Sequence, residues 1–287
     1  MKEGREKSGN LGRKGLGFWD WVLIGGFLAG AGILLYPTIS DQWNRYRNSR
    51  LIAEYGRAVE TLSQESYEEI WEEARAYNRE HRVNSPAEAF GEAYELSHPY
   101  DKILDPFGDG VMGSIEIPKI HVSLGIYHGI GTDVLEEGCG HVEGTSLPIG
   151  GEGSHAALAA HRGLPSARLF TDLDQLEEGD RFYLRILDEV LCYEVDQIKV
   201  VLPRETGELS IEEGEDYVTL VTCTPYGVNS HRLLVRGKRR EYREEEAEEL
   251  QRAREEEESR AVQAAAAGIG AVVLLLGGMV FVWRKRE

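Results

Sequence analysis

The residues best suited to chemistry lie late in the chain. The run Tyr217-Val218-Thr219-Leu220-Val221-Thr222 ends on Cys223, a turn-rich stretch from Thr224 to Ser230 follows, and His231 to Arg236 begins a second strand-like run. If the two runs pair antiparallel around that turn, Cys223 closes one strand where Arg232 opens its neighbour, with adjacent strands about 4.8 Å apart. A guanidinium facing a thiol can stabilise a thiolate, or the oxyanion formed when a carbonyl is attacked. On spacing alone, the pair fits a buried structural cysteine beside a surface arginine equally well. A cysteine nucleophile also needs a group that protonates the leaving amine and deprotonates the incoming one. Of the eight histidines, two are well placed: His161, where the apolar run Ala156 to Ala160 stops, and His231, next to Arg232. Period-two alternation turns His231 to the face opposite Arg232, which favours His161. His81, His98, His121, His128, His141 and His155 show no metal-ligand spacing and read as surface or core residues, so neither a metal nor a cofactor is expected. Cys139 and Cys192 read as buried free thiols, with a disulfide between them as the alternative.

These residues must be positioned by a mostly β domain. Strand-like runs from Ser114 to Ile120, Arg181 to Leu187, Val190 to Val195 and Tyr217 to Val221 are separated by Gly, Pro, Asn and Asp clusters, which places the catalytic domain over residues 114–240. Ahead of it, Asp41 to Arg82 reads as one helix, with Ile70, Ala74, Tyr77 and His81 at helical spacing and Pro37 and Pro86 punctuating its ends. A second short helix is expected from Ala87 to Leu96. Residues 241–260 hold ten Glu and four Arg, a solvated helix or linker that seldom carries chemistry.

The whole chain has 287 residues and a formal charge of −18, from 32 Lys plus Arg against 50 Asp plus Glu, which argues against a nucleic-acid partner. Three cysteines cannot form a disulfide framework. The charge is unevenly spread. A basic head, residues 1–15, precedes a charge-free run from Trp21 to Ser40 that Phe18, Trp19 and Trp21 border at one end and Tyr36 and Pro37 near the other. Ala261 to Trp283 is a second uncharged run, and Arg284, Lys285 and Arg286 follow it. Roughly 20 apolar residues span a bilayer, and basic flanks stay in the cytoplasm. Membrane helices at 16–36 and 261–283 are therefore expected, with both termini cytoplasmic and the middle of the chain outside. A cleaved signal peptide is the alternative for the first run.

Thr219-Leu220-Val221-Thr222-Cys223, with Arg232 nine positions on, resembles the Thr-Leu-x-Thr-Cys signature and downstream arginine of sortases. Gly140-His141-Val142-Glu143-Gly144-Thr145-Ser146-Leu147-Pro148 and His161-Arg162-Gly163-Leu164-Pro165-Ser166-Ala167-Arg168-Leu169-Phe170 are similar to blocks of class C, the pilin-polymerising sortases. The likeness covers roughly Leu104 to Gly237. Ala160 departs from it, standing where a glycine is expected.

The resemblance implies a closed eight-stranded sortase β-barrel with an N-terminal helical region and a transmembrane helix at each end. It implies Cys223 as nucleophile, His161 as acid/base, and Arg232 stabilising the oxyanion or the substrate carbonyl. The implied reaction cleaves a Leu-Pro-x-Thr-Gly-like sorting signal after Thr, holds the product as a thioester, and passes it to an amine, in class C a lysine of the next pilin subunit. Implied partners are pilin subunits or surface proteins bearing such a signal. Class C members also carry a lid with an Asp-Pro-aromatic motif, and Asp105-Pro106-Phe107, within residues 101–113, stands at a matching position. Asp105 would offer its carboxylate to Arg232, and Phe107 would cover the sulfur. Two other readings stay open here: a sortase attaching proteins to cell-wall peptide, and a non-enzymatic surface adhesin or scaffold.

Overall fold

The computed structural model describes residues 18–80 and 100–245, with isolated positions beyond. The helix expected at Ala87 to Leu96, most of the acidic segment and the second apolar run lie outside the described residues. The first helix, α1, runs from Phe18 to Val59 as 42 continuous residues, roughly 63 Å long. It is long and apolar enough to cross a membrane, and its apolar stretch is unburied. Pro37 lies inside α1 rather than ending it. A proline removes one ladder bond, and a helix with intact turns on either side can absorb that loss in apolar surroundings.

The break comes later, so the single helix expected from Asp41 to Arg82 is two. Thr61 donates its hydroxyl to the Ala58 carbonyl at 2.6 Å, and the Leu62 N–H bonds the Val59 carbonyl. Ser63 then caps the next helix by accepting the Ser66 N–H at 3.2 Å, which satisfies a donor that the new first turn would leave open. Helix α2, Gln64–Glu80, buries Trp71, Ala74 and Tyr77 on one face. It meets the β domain through Asn78, whose amide donates to the Leu147 carbonyl and accepts the Leu147 N–H.

The β domain is a closed barrel of eight strands: β1 Val111–Ile117, β2 Val122–His128, β3 Cys139–His141, β4 Ser154–Ala159, β5 Arg181–Ile186, β6 Glu189–Val201, β7 Asp216–Thr224 and β8 His231–Arg240. Their order around the barrel is β1-β2-β3-β4-β7-β8-β6-β5, with β2/β3 and β4/β7 parallel and the other pairs antiparallel. Strand β1 stops at Ile117, short of the expected Ile120, because Pro118 opens a 3-10 turn and cannot donate to a ladder. Strand β6 outruns its expected end by absorbing an irregularity between Val195 and Gln197. A short helix α3, Thr132–Glu137, leads into β3.

Alternate residues fill the interior: Ile115, Ile117, Ile126, Leu158, Phe182, Leu184, Val218, Leu220 and Val235 are all buried. Phe182 and Tyr193 stack at 5.6 Å beneath Gly237, where an added Cβ would lie 2.4 Å from Phe182 Cε1. A second, smaller apolar cluster of Val142, Ala157 and Leu209, with Ala159 and Val221, lies apart from this core.

Candidate active site

Three adjacent strands assemble the site. Cys223 on β7 pairs directly with Arg232 on β8, as the antiparallel reading of the two runs requires. On its other side β7 runs parallel to β4, with Ala159 opposite Val221. The contact continues past the end of β4: the Ala160 N–H donates to the Val221 carbonyl at 3.2 Å, and the Thr222 hydroxyl donates to the Ala160 carbonyl at 2.8 Å. Two residues beyond the last pair on each strand stand His161 and Cys223, so the backbone brings them level, with neighbouring strands about 4.8 Å apart. His161, Cys223 and Arg232 thus form one row across β4, β7 and β8.

The row lies on the outer face of the barrel wall. Val218 and Leu220 point into the core, whereas Val221, in step with Cys223, packs with Ala157, Ala159 and Leu209. A small packed apolar cluster therefore lies beside the sulfur on this face of the sheet. Of the three cysteines only Cys223 is partly exposed; Cys139 and Cys192 are buried and unbridged. Burial drives the Cys139 thiol far above its ordinary value and leaves it inert. Arg232 is aimed by its own turn, Nη1 donating to the carbonyls of His231 at 3.1 Å and Asn229 at 3.4 Å. His231 pairs with Thr224 and meets the Ser230 hydroxyl through Nδ1 at 2.8 Å, one step off the Cys223 row.

Arg162, which the sequence did not single out, bridges the row from beneath. Its guanidinium side chain is 8% exposed, donates to Asp174 Oδ2 at 2.5 Å and to Thr224 Oγ1 at 3.2 Å, and leaves Nε without an acceptor. It ties the residue after His161 to the residue after Cys223. Only its place beside His161 hinted at this, since an arginine in a Gly- and Pro-rich loop reads as surface.

Asp105-Pro106-Phe107 is not placed as a lid on Arg232. The Asp105 carboxylate accepts the N–H groups of Gly108 at 2.9 Å and Asp109 at 3.0 Å, closing its own turn. The Phe107 ring meets Tyr55 of α1 edge-on at 5.8 Å. His128 clasps the turn at both ends, Nε2 facing the Ile103 carbonyl at 2.7 Å and Nδ1 the Gly110 carbonyl at 3.1 Å. Neighbouring N–H groups win the carboxylate because they need no long loop closed to reach it.

His141 is a core residue. Its Nδ1 meets the Tyr100 hydroxyl at 2.7 Å and its Nε2 the Ser146 carbonyl at 2.8 Å, and burial lowers it to about 4. Among the described residues no group of three or more His, Cys, Asp or Glu could hold a metal ion.

Comparison with known proteins agrees with this geometry. Residues 115–240 match the sortase domain model. Sortase C1 from Streptococcus agalactiae is 44% identical, with a TM-score of 0.63, over 68% of this chain and 100% of that one. Sortase C-1 from Streptococcus pneumoniae is 43% identical, with a TM-score of 0.61, over 68% and 100%. A pilus-related sortase C of Group B Streptococcus is 41% identical, with a TM-score of 0.57, over 65% and 95%. Sortase D of Bacillus subtilis is 29% identical over 161 residues, 55% of this chain and 78% of that protein. With a closed eight-stranded barrel and a thiol at the end of its seventh strand, the chain belongs to the sortase family of cysteine transpeptidases, as a class C member.

Proposed function

We propose that Cys223, His161 and Arg232 carry out the transpeptidation, and that the enzyme joins pilin subunits. The row of these three residues across β4, β7 and β8 carries the reading, because it combines the one partly exposed thiol with an imidazole and a guanidinium at the same level. The Cys223 thiolate attacks the Thr carbonyl of a Leu-Pro-x-Thr-Gly-like sorting signal. Arg232 stabilises the tetrahedral oxyanion. His161, protonated, gives its proton to the departing Gly amine as the C–N bond breaks, leaving a thioester on Cys223. A pilin lysine amine then attacks the thioester and loses a proton to His161, so that the C–S bond breaks, an isopeptide bond forms, and Cys223 leaves as the thiolate beside a protonated His161. The similarity to a pilus-related sortase C supports a pilus protein as substrate. The enzyme is anchored through α1 and through the second apolar run, with both termini cytoplasmic and the barrel outside.

The test is to incubate the purified chain with a sorting-signal peptide and, separately, a pilin carrying an acceptor lysine or a cell-wall stem-peptide amine. Mass spectrometry should find a thioester adduct on Cys223 and an isopeptide product with the pilin. Cys223→Ala should abolish both and keep the fold. Residual transpeptidation in that variant overturns the nucleophile, and transfer only to the stem peptide overturns the pilin acceptor.

A further inference from the structure

The geometry points to a fixed orientation: α1 holds the catalytic end of the barrel at the lipid surface and the opposite end away from it, so Cys223 is reached from the membrane side. This rests on the reading of α1 as a membrane anchor.

Three levels of α1 dock on the barrel, seven residues apart on one face of the helix. At the first level, Asp41 Oδ1 accepts the Arg168 N–H at 2.9 Å, and the loop carrying Arg168 is tied back to the site where the Phe170 N–H bonds the His161 carbonyl. At the second, Asn48 accepts the Gly125 N–H at 3.0 Å and donates to the Glu137 carbonyl at 3.2 Å. At the third, the Tyr55 hydroxyl donates to the Met112 carbonyl at 3.0 Å and accepts the Leu187 N–H at 3.1 Å. Met112 lies at the start of β1 and Leu187 just past the end of β5, so the barrel's long direction follows the helix. From Asp41 to Tyr55 the helix rises roughly 21 Å.

The charge-free run ends at Ser40, one residue before Asp41. Because α1 is unbroken from Phe18 to Val59, the level at which the apolar run stops is the level of the loop that holds His161. The Met112 and Leu187 end is then roughly 21 Å further out.

The far face of the helix adds an independent observation. Tyr36, Ile39, Trp43 and Tyr46 recur at helical spacing opposite Asp41, Asn48 and Tyr55, and they are exposed by 55%, 63%, 63% and 53%. The Trp43 and Tyr46 rings pair at 5.9 Å. This stripe continues the apolar run past Asp41, and indole and phenol rings favour the headgroup layer. It seats α1 in that layer up to Tyr46, which draws the Asp41 level down to the lipid.

The experiment places the full chain in lipid nanodiscs containing a headgroup spin-labelled phosphatidylcholine. A thiol-reactive fluorophore is attached to Cys223, the one cysteine that is not buried, and in a second protein to Glu189→Cys in the Cys223→Ala background. Glu189 is exposed at the start of β6, beside Leu187. Quenching should be several-fold stronger at Cys223 than at position 189. Replacing Asp41 and Asn48 by Ala should narrow the difference by freeing the barrel from the helix. Equal quenching, or the reverse order, in chain that stays with the lipid overturns the orientation and leaves the anchor standing. Chain that does not stay with the lipid overturns the anchor, and the orientation with it.

Discussion

Arg162 offers a sharp separation of activity from stability. Its replacement by Met keeps the apolar stem and deletes the guanidinium. The lost bond to Asp174 is charge-assisted, worth about 1.5–3 kcal/mol in a buried setting, but Asp174 is 49% exposed, which pulls the value toward about 1 kcal/mol. The bond to Thr224 adds about 1 kcal/mol. Against these losses, the buried Nε has no acceptor, and removing it recovers about 1–3 kcal/mol of desolvation cost. The net change in stability should fall within about 2 kcal/mol of zero. Activity should respond differently, because Arg162 joins the segments that carry His161 and Cys223, and a misplacement near 1 Å can cost about 10²-fold in rate. Urea unfolding gives the first quantity. Thioester formation, together with the pH profile of Cys223 alkylation, gives the second and reports whether the Cys223 and His161 pairing has moved. Arg162→Lys should not rescue, since a single ammonium cannot reach Asp174 and Thr224 with a planar fork. An Arg162→Met enzyme with unchanged thioester formation and an unchanged alkylation profile would refute the positioning role.

Arg232→Lys should lower the rate of thioester formation by about 10²-fold, because one ammonium cannot both hold the turn carbonyls of Asn229 and His231 and meet the oxyanion; unchanged turnover would leave Arg232 a structural residue. Burial lowers His141 to about 4 from its ordinary 6.5, so the folded protein keeps it neutral where the unfolded chain is protonated. Its contribution to stability is therefore complete above pH 6.5 and is lost as pH falls toward 4, by about 1.4 kcal/mol per pH unit and about 3 kcal/mol in all. Urea midpoints of wild type and His141→Gln across that window should show the steeper loss in wild type, and parallel curves would contradict it. Gly113→Ala puts a Cβ 2.3 Å from the Arg185 carbonyl oxygen, a backbone atom that cannot swing away, so a loss of about 1–3 kcal/mol or more is expected in the same assay.

The pairing of Cys223 with Arg232 was legible because a hairpin fixes register locally, and nine residues of separation leave few ways to close it. His161 was legible only as a residue at the end of an apolar run. Its place beside Cys223 depends on the parallel pairing of β4 with β7, a contact between segments some sixty residues apart in the sequence that no local pattern encodes. The break at Glu60 to Ser63 was hidden because helical spacing continues on both sides of it, and Ser63 as a cap looks like any exposed serine. Pro37 misled in the opposite direction. Asp105 misled because chemistry alone matches a carboxylate to a guanidinium, whereas geometry gives first claim to the N–H groups three and four residues on.

The arrangement explains how a half-buried site on an outer wall stays ordered. Two ladders share β7, one antiparallel to β8 and one parallel to β4, so a shift of β7 would move Cys223 against both partners at once, and the closed barrel resists that shift. His161, beyond the end of β4, lacks the protection of a ladder. Its loop is held instead by Arg162 to Asp174 on one side and by Asp41 of α1 through Arg168 on the other. His161 is therefore the member of the row whose position depends on contacts outside the barrel, one of them at the level where the apolar run ends. On the proposed roles of α1 and His161, anchoring and catalysis meet in that loop. A barrel cut free of α1 would keep the Cys223 and Arg232 pair intact and loosen His161, so on those proposed roles the helix serves the active site as much as the anchor.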